Sequence, residues 1–208
     1  MLQYGTVEPH TLDILRGLMC LDELKDFYLV GGTALALYYG HRSSIDLDLF
    51  ATTAYNKDMI IQVLEERFPK FTYSNIPNPI GIFGFIDDVK VDLVKYHHYP
   101  LIDSPYIEDG IRLVSIPDIA AMKIAAILRR GVKKDFWDIS ELLHHYTIED
   151  IINFYNRKYP NHQLLISIPQ AITYFADAEE SEDPVSLKGQ TWKEVKKFIQ
   201  QKANEYLK

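Results

Sequence analysis

Cysteine is nearly absent from this chain of 208 residues: Cys20 is the only one. No internal disulfide can form and no cysteine-based zinc site can be assembled, which suits a reducing, cytoplasmic setting. Long apolar runs are missing too, and none approaches the roughly 20 residues that a membrane-spanning helix needs. Residues Met1 to His10 have no basic start leading into an apolar core, so no signal peptide is expected. Positive charge is scarce: 22 Lys and Arg stand against 29 Asp and Glu, a net charge of -7. That balance argues against a surface built for broad, sequence-independent nucleic-acid binding but leaves room for a local basic patch. Internal repeats and low-complexity segments are also lacking. What remains, 47% hydrophobic and 25% charged, is an ordinary globular composition, long enough to bury a core without covalent staples.

The most patterned stretch runs from Leu29 to Phe50. Asp26 to Val30 reads as a strand that breaks at Gly31-Gly32, and Thr33 to Tyr39 reads as a short helix stopped by Gly40. After the polar loop Gly40-His41-Arg42-Ser43-Ser44 comes a strict alternation, Ile45 to Phe50. Its period of two puts Ile45, Leu47 and Leu49 on one face and Asp46 and Asp48 on the other.

Upstream, Thr11 to Lys25 has helical spacing. Downstream, Lys57 to Phe68 reads as an amphipathic helix with Met59, Ile60, Val63, Leu64 and Phe68 inward, ended by Pro69. Ile80 to Ile86 and Val89 to Lys95 read as a hairpin turning at Asp87-Asp88. In its second arm Asp92 is costly to bury without a partner or a metal, which makes it a third carboxylate of interest. From Ser115 onward the pattern is helical. Ser115 to Asp118 fits a capping box with proline in the first turn, and the helix runs to Arg130 before Gly131. Lys123 and Arg130, seven apart, lie on nearly one face. A second helix starts near Lys134, with Asp135 and Asp138 sharing a face. Thr147 opens another helix, residues 161 to 180 are expected to be helical, and Thr191 caps a last helix with Trp192, Val195, Phe198, Ile199 and Tyr206 inward.

Magnesium prefers carboxylate oxygens, water and phosphates. Asp46 and Asp48, joined by Asp92 from a neighbouring strand, can hold two such ions, which activate an attacking oxygen and neutralise a leaving pyrophosphate. The Gly31-Gly32 turn lets backbone N–H groups approach a triphosphate, and the following helix adds its dipole. Lys123 and Arg130 supply cations for the outer phosphates. Each piece also has a purely structural reading: a turn, a chance Asp-x-Asp, a solvated helix face, acids at a helix start. His97-His98 and His144-His145 lack the i,i+4 spacing of helical metal ligands and read as surface or packing residues. The order and spacing of the pieces together favour nucleotidyl transfer.

That order resembles the motifs of the AbiEii/AbiGii nucleotidyltransferase toxins, within the DNA polymerase β-like nucleotidyltransferase superfamily. The resemblance rests on Val30 to Leu37, His41 to Phe50, Ile119 to Lys123, Arg130 and Lys134 to Ile139, and spans Leu29 to Leu143 apart from Thr52 to Gly84. It implies an α+β fold, a mixed sheet flanked by helices and followed by a helical carboxy-terminal part, here divided as a core over 1–114 and a helical region over 115–208. It implies metal ligands at Asp46, Asp48 and Asp92 and catalytic roles for these with Lys123, Asp135 and Asp138; both of the last two qualify for the family's final aspartate. Nucleotide contacts are implied at Gly31, Gly32, Thr33, Ser43, Ser44, Lys123 and Arg130. The superfamily commonly has Gly-Ser at its turn; Gly-Gly-Thr departs from this, with Thr33 the candidate hydroxyl. The resemblance further implies Mg2+, an NTP donor, an RNA acceptor such as tRNA, and a cognate antitoxin. Transfer to a small molecule such as an aminoglycoside, transfer to a protein hydroxyl, and a silent nucleotide-binding module stay open.

Overall fold

Alternation of the buried Leu47, Leu49 and Ala51 makes β2 (Leu47–Ala51) the centre of a mixed sheet. The computed structural model describes residues 1–76 and 78–208. Among these the sheet has seven strands, in the order β3 (Phe71–Tyr73), β4 (Gly81–Ile86), β5 (Val89–Lys95), β2, β1 (Phe27–Leu29), β7 (Ile111–Leu113), β6 (Tyr106–Glu108). Two adjacencies are parallel, β2 with β5 and β1 with β7, and the rest are antiparallel. The β4–β5 hairpin turns at Asp87 and Asp88, whose φ of 47° and 67° is the left-handed geometry a two-residue hairpin needs.

The helices are α1 (Pro9–Met19), α2 (Gly31–Tyr39), α3 (Lys57–Arg67), α4 (Ile116–Arg129), α5 (Lys133–Leu142), α6 (Ile148–Lys158), α7 (Ile168–Thr173) and α8 (Trp192–Tyr206). Helix α4, apolar and alanine-rich, packs on α2, α5, α6 and α7 and links the sheet to the helical part. A single apolar cluster runs from Leu2 to Ala203. No helix among the described residues is long and apolar enough to cross a membrane.

Several expectations are corrected. The amino-terminal helix ends at Met19, with a 3-10 turn at Asp22–Leu24 before β1. Ile45 lies outside β2 and is 59% exposed, because pairing with β5 begins at Leu47. Met59 is exposed, leaving Ile60 and Leu64 as the buried stripe of α3. Residues 161–180 are mostly irregular: Pro169 opens only the short α7, followed by a 3-10 turn at Ala176–Ala178. Tyr206 lies in the final turn of α8, beyond the helices it packs on, and is exposed. Ser115 caps α4, but the Asp118 carboxylate does not complete a box. It accepts from the Ser115 hydroxyl at 2.5 Å, from Lys158 Nζ at 2.6 Å and from the Ile102 N–H at 3.0 Å, but not from the Ser115 backbone N–H. His144 and His145 stack on Phe198 and Tyr39.

Candidate active site

The chain passes from β1 into α2 in one step, so the helix starts at Gly31 rather than at Thr33. Gly31 has φ +71°, and a Cβ there would sit 2.9 Å from Asp48 Oδ2; a Cβ on Gly32 would run into the Arg42 guanidinium. Both positions need glycine, for conformation at the first and for space at both. The pair thereby brings the N-terminus of α2, with its free N–H groups and dipole, against Asp48. Thr33 is nearly buried and its hydroxyl is taken by Ser44 Oγ, at 2.8 Å, and by the Asp46 carbonyl. Ser44 lines the cleft; Ser43 does not, and its N–H bonds the Val185 carbonyl.

This cleft, about 390 Å³, is walled by the opening of α2, the carboxylate face of β2 and β5, and α4. The parallel register sets Asp48 directly beside Asp92. Lys90 Nζ reaches Asp92 Oδ2 at 2.6 Å, while Asp92 Oδ1 is buried without a hydrogen-bond partner among the described residues. Asp46 meets Lys134 Nζ at 3.4 Å. Asp48 has no ion-pair partner among the described residues, and its carboxyl is pushed up by burial and then by the negative charge of Asp92 and Asp46. No three His, Cys, Asp or Glu side chains among the described residues are gathered into a ready metal cage. The expected trio shares one cleft, with Asp46 and Asp92 each paired with a lysine. The orphaned Asp92 oxygen and the uncompensated Asp48 carboxyl are oxygen donors that fit a hard divalent ion.

Behind the cleft lies a second set of charges. Lys123 on α4 is nearly buried, its Nζ 2.9 Å from Asp135 Oδ1 and 2.5 Å from Asp138 Oδ2. Asp138 also accepts from Arg42 Nε at 2.7 Å, from Arg42 Nη2 at 2.9 Å and from His41 Nε2 at 2.7 Å. Burial opposes its ionisation, but the Arg42 and Lys123 charges and the hydrogen bonds from His41 and Arg42 win, holding the carboxyl well below the usual range. Asp135, against the same burial, is lowered by Lys123 and Arg130, whose Nε lies 3.3 Å away. Lys123 is raised: burial lowers it, and Asp138 and Asp135 outweigh that. Asp135 and Asp138 are fully buried outside the cleft wall, which they reach through Lys123 and Arg42; Lys123 and Arg130 line it. Sequence reasoning missed Arg42, Lys90 and Arg129, which also line the cleft together with Lys134, and His41 behind it. Lys90 was readable, two residues before Asp92 on the same strand face; Arg42 was not, its partner lying 96 residues away.

A mixed sheet with this helix arrangement is the nucleotidyltransferase fold. The chain superposes on JHP933 of Helicobacter pylori with a TM-score of 0.57 at 18% identity, over 96% of this chain and 92% of that one. It superposes on MenT4, the nucleotidyltransferase toxin Rv2826c of Mycobacterium tuberculosis H37Rv, with a TM-score of 0.51 at 15% identity, over 91% and 82%. In sequence it is 34% identical to aq_aa25 of Aquifex aeolicus (strain VF5), over 94% of this chain and 95% of that one. Residues 13–204 match the family described as nucleotidyl transferase AbiEii toxin, type IV TA system, and the chain belongs to that family. It is a transferase of nucleotidyl groups.

Proposed function

We propose that this enzyme moves a nucleoside monophosphate from an NTP onto RNA, with tRNA the leading acceptor, as the toxin of a toxin–antitoxin pair. The observation that carries the chemistry is the register of Asp48 on Asp92 opposite the glycine-opened start of α2. Asp46, Asp48 and Asp92 would hold magnesium, which supplies neutralisation of the α-phosphate and pyrophosphate and makes the acceptor hydroxyl easier to deprotonate. The first N–H groups of α2 bind phosphate oxygens, and Arg42 and Lys134 flank them. Lys123 has three N–H donors; Asp135 and Asp138 take two, leaving the third for a phosphate oxygen in the cleft. The acceptor hydroxyl gives its proton to a cleft carboxylate and attacks the α-phosphorus, forming a new P–O bond as the bond to pyrophosphate breaks and pyrophosphate leaves. Arg129, Arg130 and Lys134 around the cleft repel a polycationic small molecule, which favours RNA over an aminoglycoside.

Incubation with labelled NTPs, magnesium and total tRNA is expected to label the RNA. Label found only on the protein, or only on an added aminoglycoside, overturns the RNA acceptor.

A further inference from the structure

Past the carboxylates, the same sheet face turns aromatic. Two residues on from Asp48 and Asp92 stand Phe50 and Val94, paired in the same register, and Tyr96 follows at the end of β5. Here the cleft opens into a groove of about 880 Å³ that shares Phe50, Val94, Met122 and Arg129 with it. The groove has more than twice the cleft's volume, room for more than one nucleotide.

Its wall is a chain of rings. Phe50 lies 4.6 Å from Tyr96, Tyr96 5.0 Å from Tyr99, and Tyr99 5.0 Å from Tyr159 by ring centroid. His162, exposed, stacks on Tyr159 at 5.1 Å and closes the row. Buried Lys158 sits 5.1 Å beneath the Tyr96 ring, and the Tyr96 and Tyr159 hydroxyls bond each other at 2.5 Å, so the rings are held in place from behind. Arg129 is the cation that faces this lining, since the Lys95 ammonium lies over the Tyr55 ring instead, and the lining contains no carboxylate among the described residues. In a chain of net charge -7, this is a local reversal beside three aspartates. Aromatic rings beside a cation, without acids, are what unpaired nucleotides require: bases stack on rings and phosphates meet the cation, without sequence being read.

We infer that the groove lined by Tyr96, Tyr99, Tyr159 and His162 binds the unpaired end of the acceptor RNA and delivers its terminal hydroxyl to Asp46, Asp48 and Asp92. This rests on the proposed transfer to RNA and adds the subsite that selects a single-stranded end.

The test uses the full chain and two probes, an RNA hairpin with a few unpaired 3′ nucleotides and the same hairpin blunt-ended, with binding read by fluorescence anisotropy. The tailed hairpin is expected to bind roughly tenfold or more tighter than the blunt one. Tyr99→Ala and His162→Ala are each expected to erase most of that preference and raise KM for the tailed RNA, while Tyr99→Phe keeps it. Direct binding of a labelled NTP is expected to change less than twofold. Arg129→Gln should lower the salt-dependence slope of RNA binding by about one. If the unmutated chain neither binds nor labels RNA, the transfer to RNA fails and the groove assignment with it. If it labels RNA but both alanine variants still prefer the tail, the groove assignment alone fails. A parallel loss of NTP binding overturns it too, since the groove would then hold the donor's base. His162 is exposed, so His162→Ala decides the outcome if Tyr99→Ala does not fold.

Discussion

Two groups of aspartates sit on opposite sides of Arg42 and Lys123, and their electrostatics are opposite. Asp46, Asp48 and Asp92 share one cleft in which Lys90 pairs with Asp92 and Lys134 with Asp46, but Asp48 has no ion-pair partner among the described residues and is pushed up by burial and by its acidic neighbours. Asp135 and Asp138 are more deeply buried, yet both are held down by Lys123, with Arg42 and His41 also bonding Asp138. Burial alone therefore does not separate a binding carboxylate from a structural one. What separates them is that both rear carboxylates have their cations, whereas Asp48 in the cleft has none among the described residues. In the cleft the Asp48 carboxylate and the free Asp92 oxygen are what a divalent ion would neutralise; the rear network is complete and holds Lys123 in position.

Breaking the complete side should cost most in stability. Asp138→Ala leaves Arg42 and Lys123 buried without their carboxylate, and chemical denaturation is expected to show a loss of about 3–5 kcal/mol. Asp48→Asn should do the reverse. Losing a mere outer partner of a metal ligand costs roughly 10–100-fold in activity or affinity, so losing a carboxylate that would meet the ion directly should lower transfer by more than that. The same variant should keep or slightly raise its unfolding midpoint, because repulsion with Asp92 is relieved. Magnesium at a hundred times its Kd should stabilise the unmutated chain by about 2.7 kcal/mol, and this gain should vanish in Asp48→Asn.

Acid sharpens the contrast. The Asp138 pKa in the folded chain lies well below its unfolded value of about 3.9, so its stabilising share is fully present above that unfolded value. It is lost only as pH falls through the lowered folded value. Thermal melts of the unmutated chain against Asp138→Asn should therefore differ by a constant amount from neutral pH to near pH ~4 and converge only below it. The smallest effect belongs to Lys90, whose side chain is 46% exposed beside Asp92. Lys90→Gln should change stability by less than about 1 kcal/mol while tightening magnesium binding severalfold, since the ion no longer competes with a lysine for Asp92.

Much of the frame was readable in the chain. The two-residue alternation around Leu47 and Leu49, the hairpin turning at Asp87-Asp88, the Ser115 start and Gly131 stop of α4, and the capping boxes of α6 and α8 are local signals, and the structure follows them. Three-residue strands such as β3, β6 and β7 carry too little pattern to be seen, and they form because neighbours supply their hydrogen bonds. Helical expectation across 161–180 failed because Pro160 and Pro169 confine the regular part to one short helix. Of the site, Asp46 and Asp48 could be placed on one face by period alone. That Asp92 lies beside Asp48, and that Ser43 faces away, could not.

The amino-acid order by itself determined which residues share a face, where helices begin and stop, and that acids alternate with leucines beside two glycines. These follow from backbone geometry within a few residues. Tertiary structure alone decided which carboxylates are neutralised: Arg42 and His41 meet Asp138 from 96 and 97 positions away, and Lys123 meets Asp135 from 12. Charge compensation depends on distance in space, and distance in space is what folding supplies.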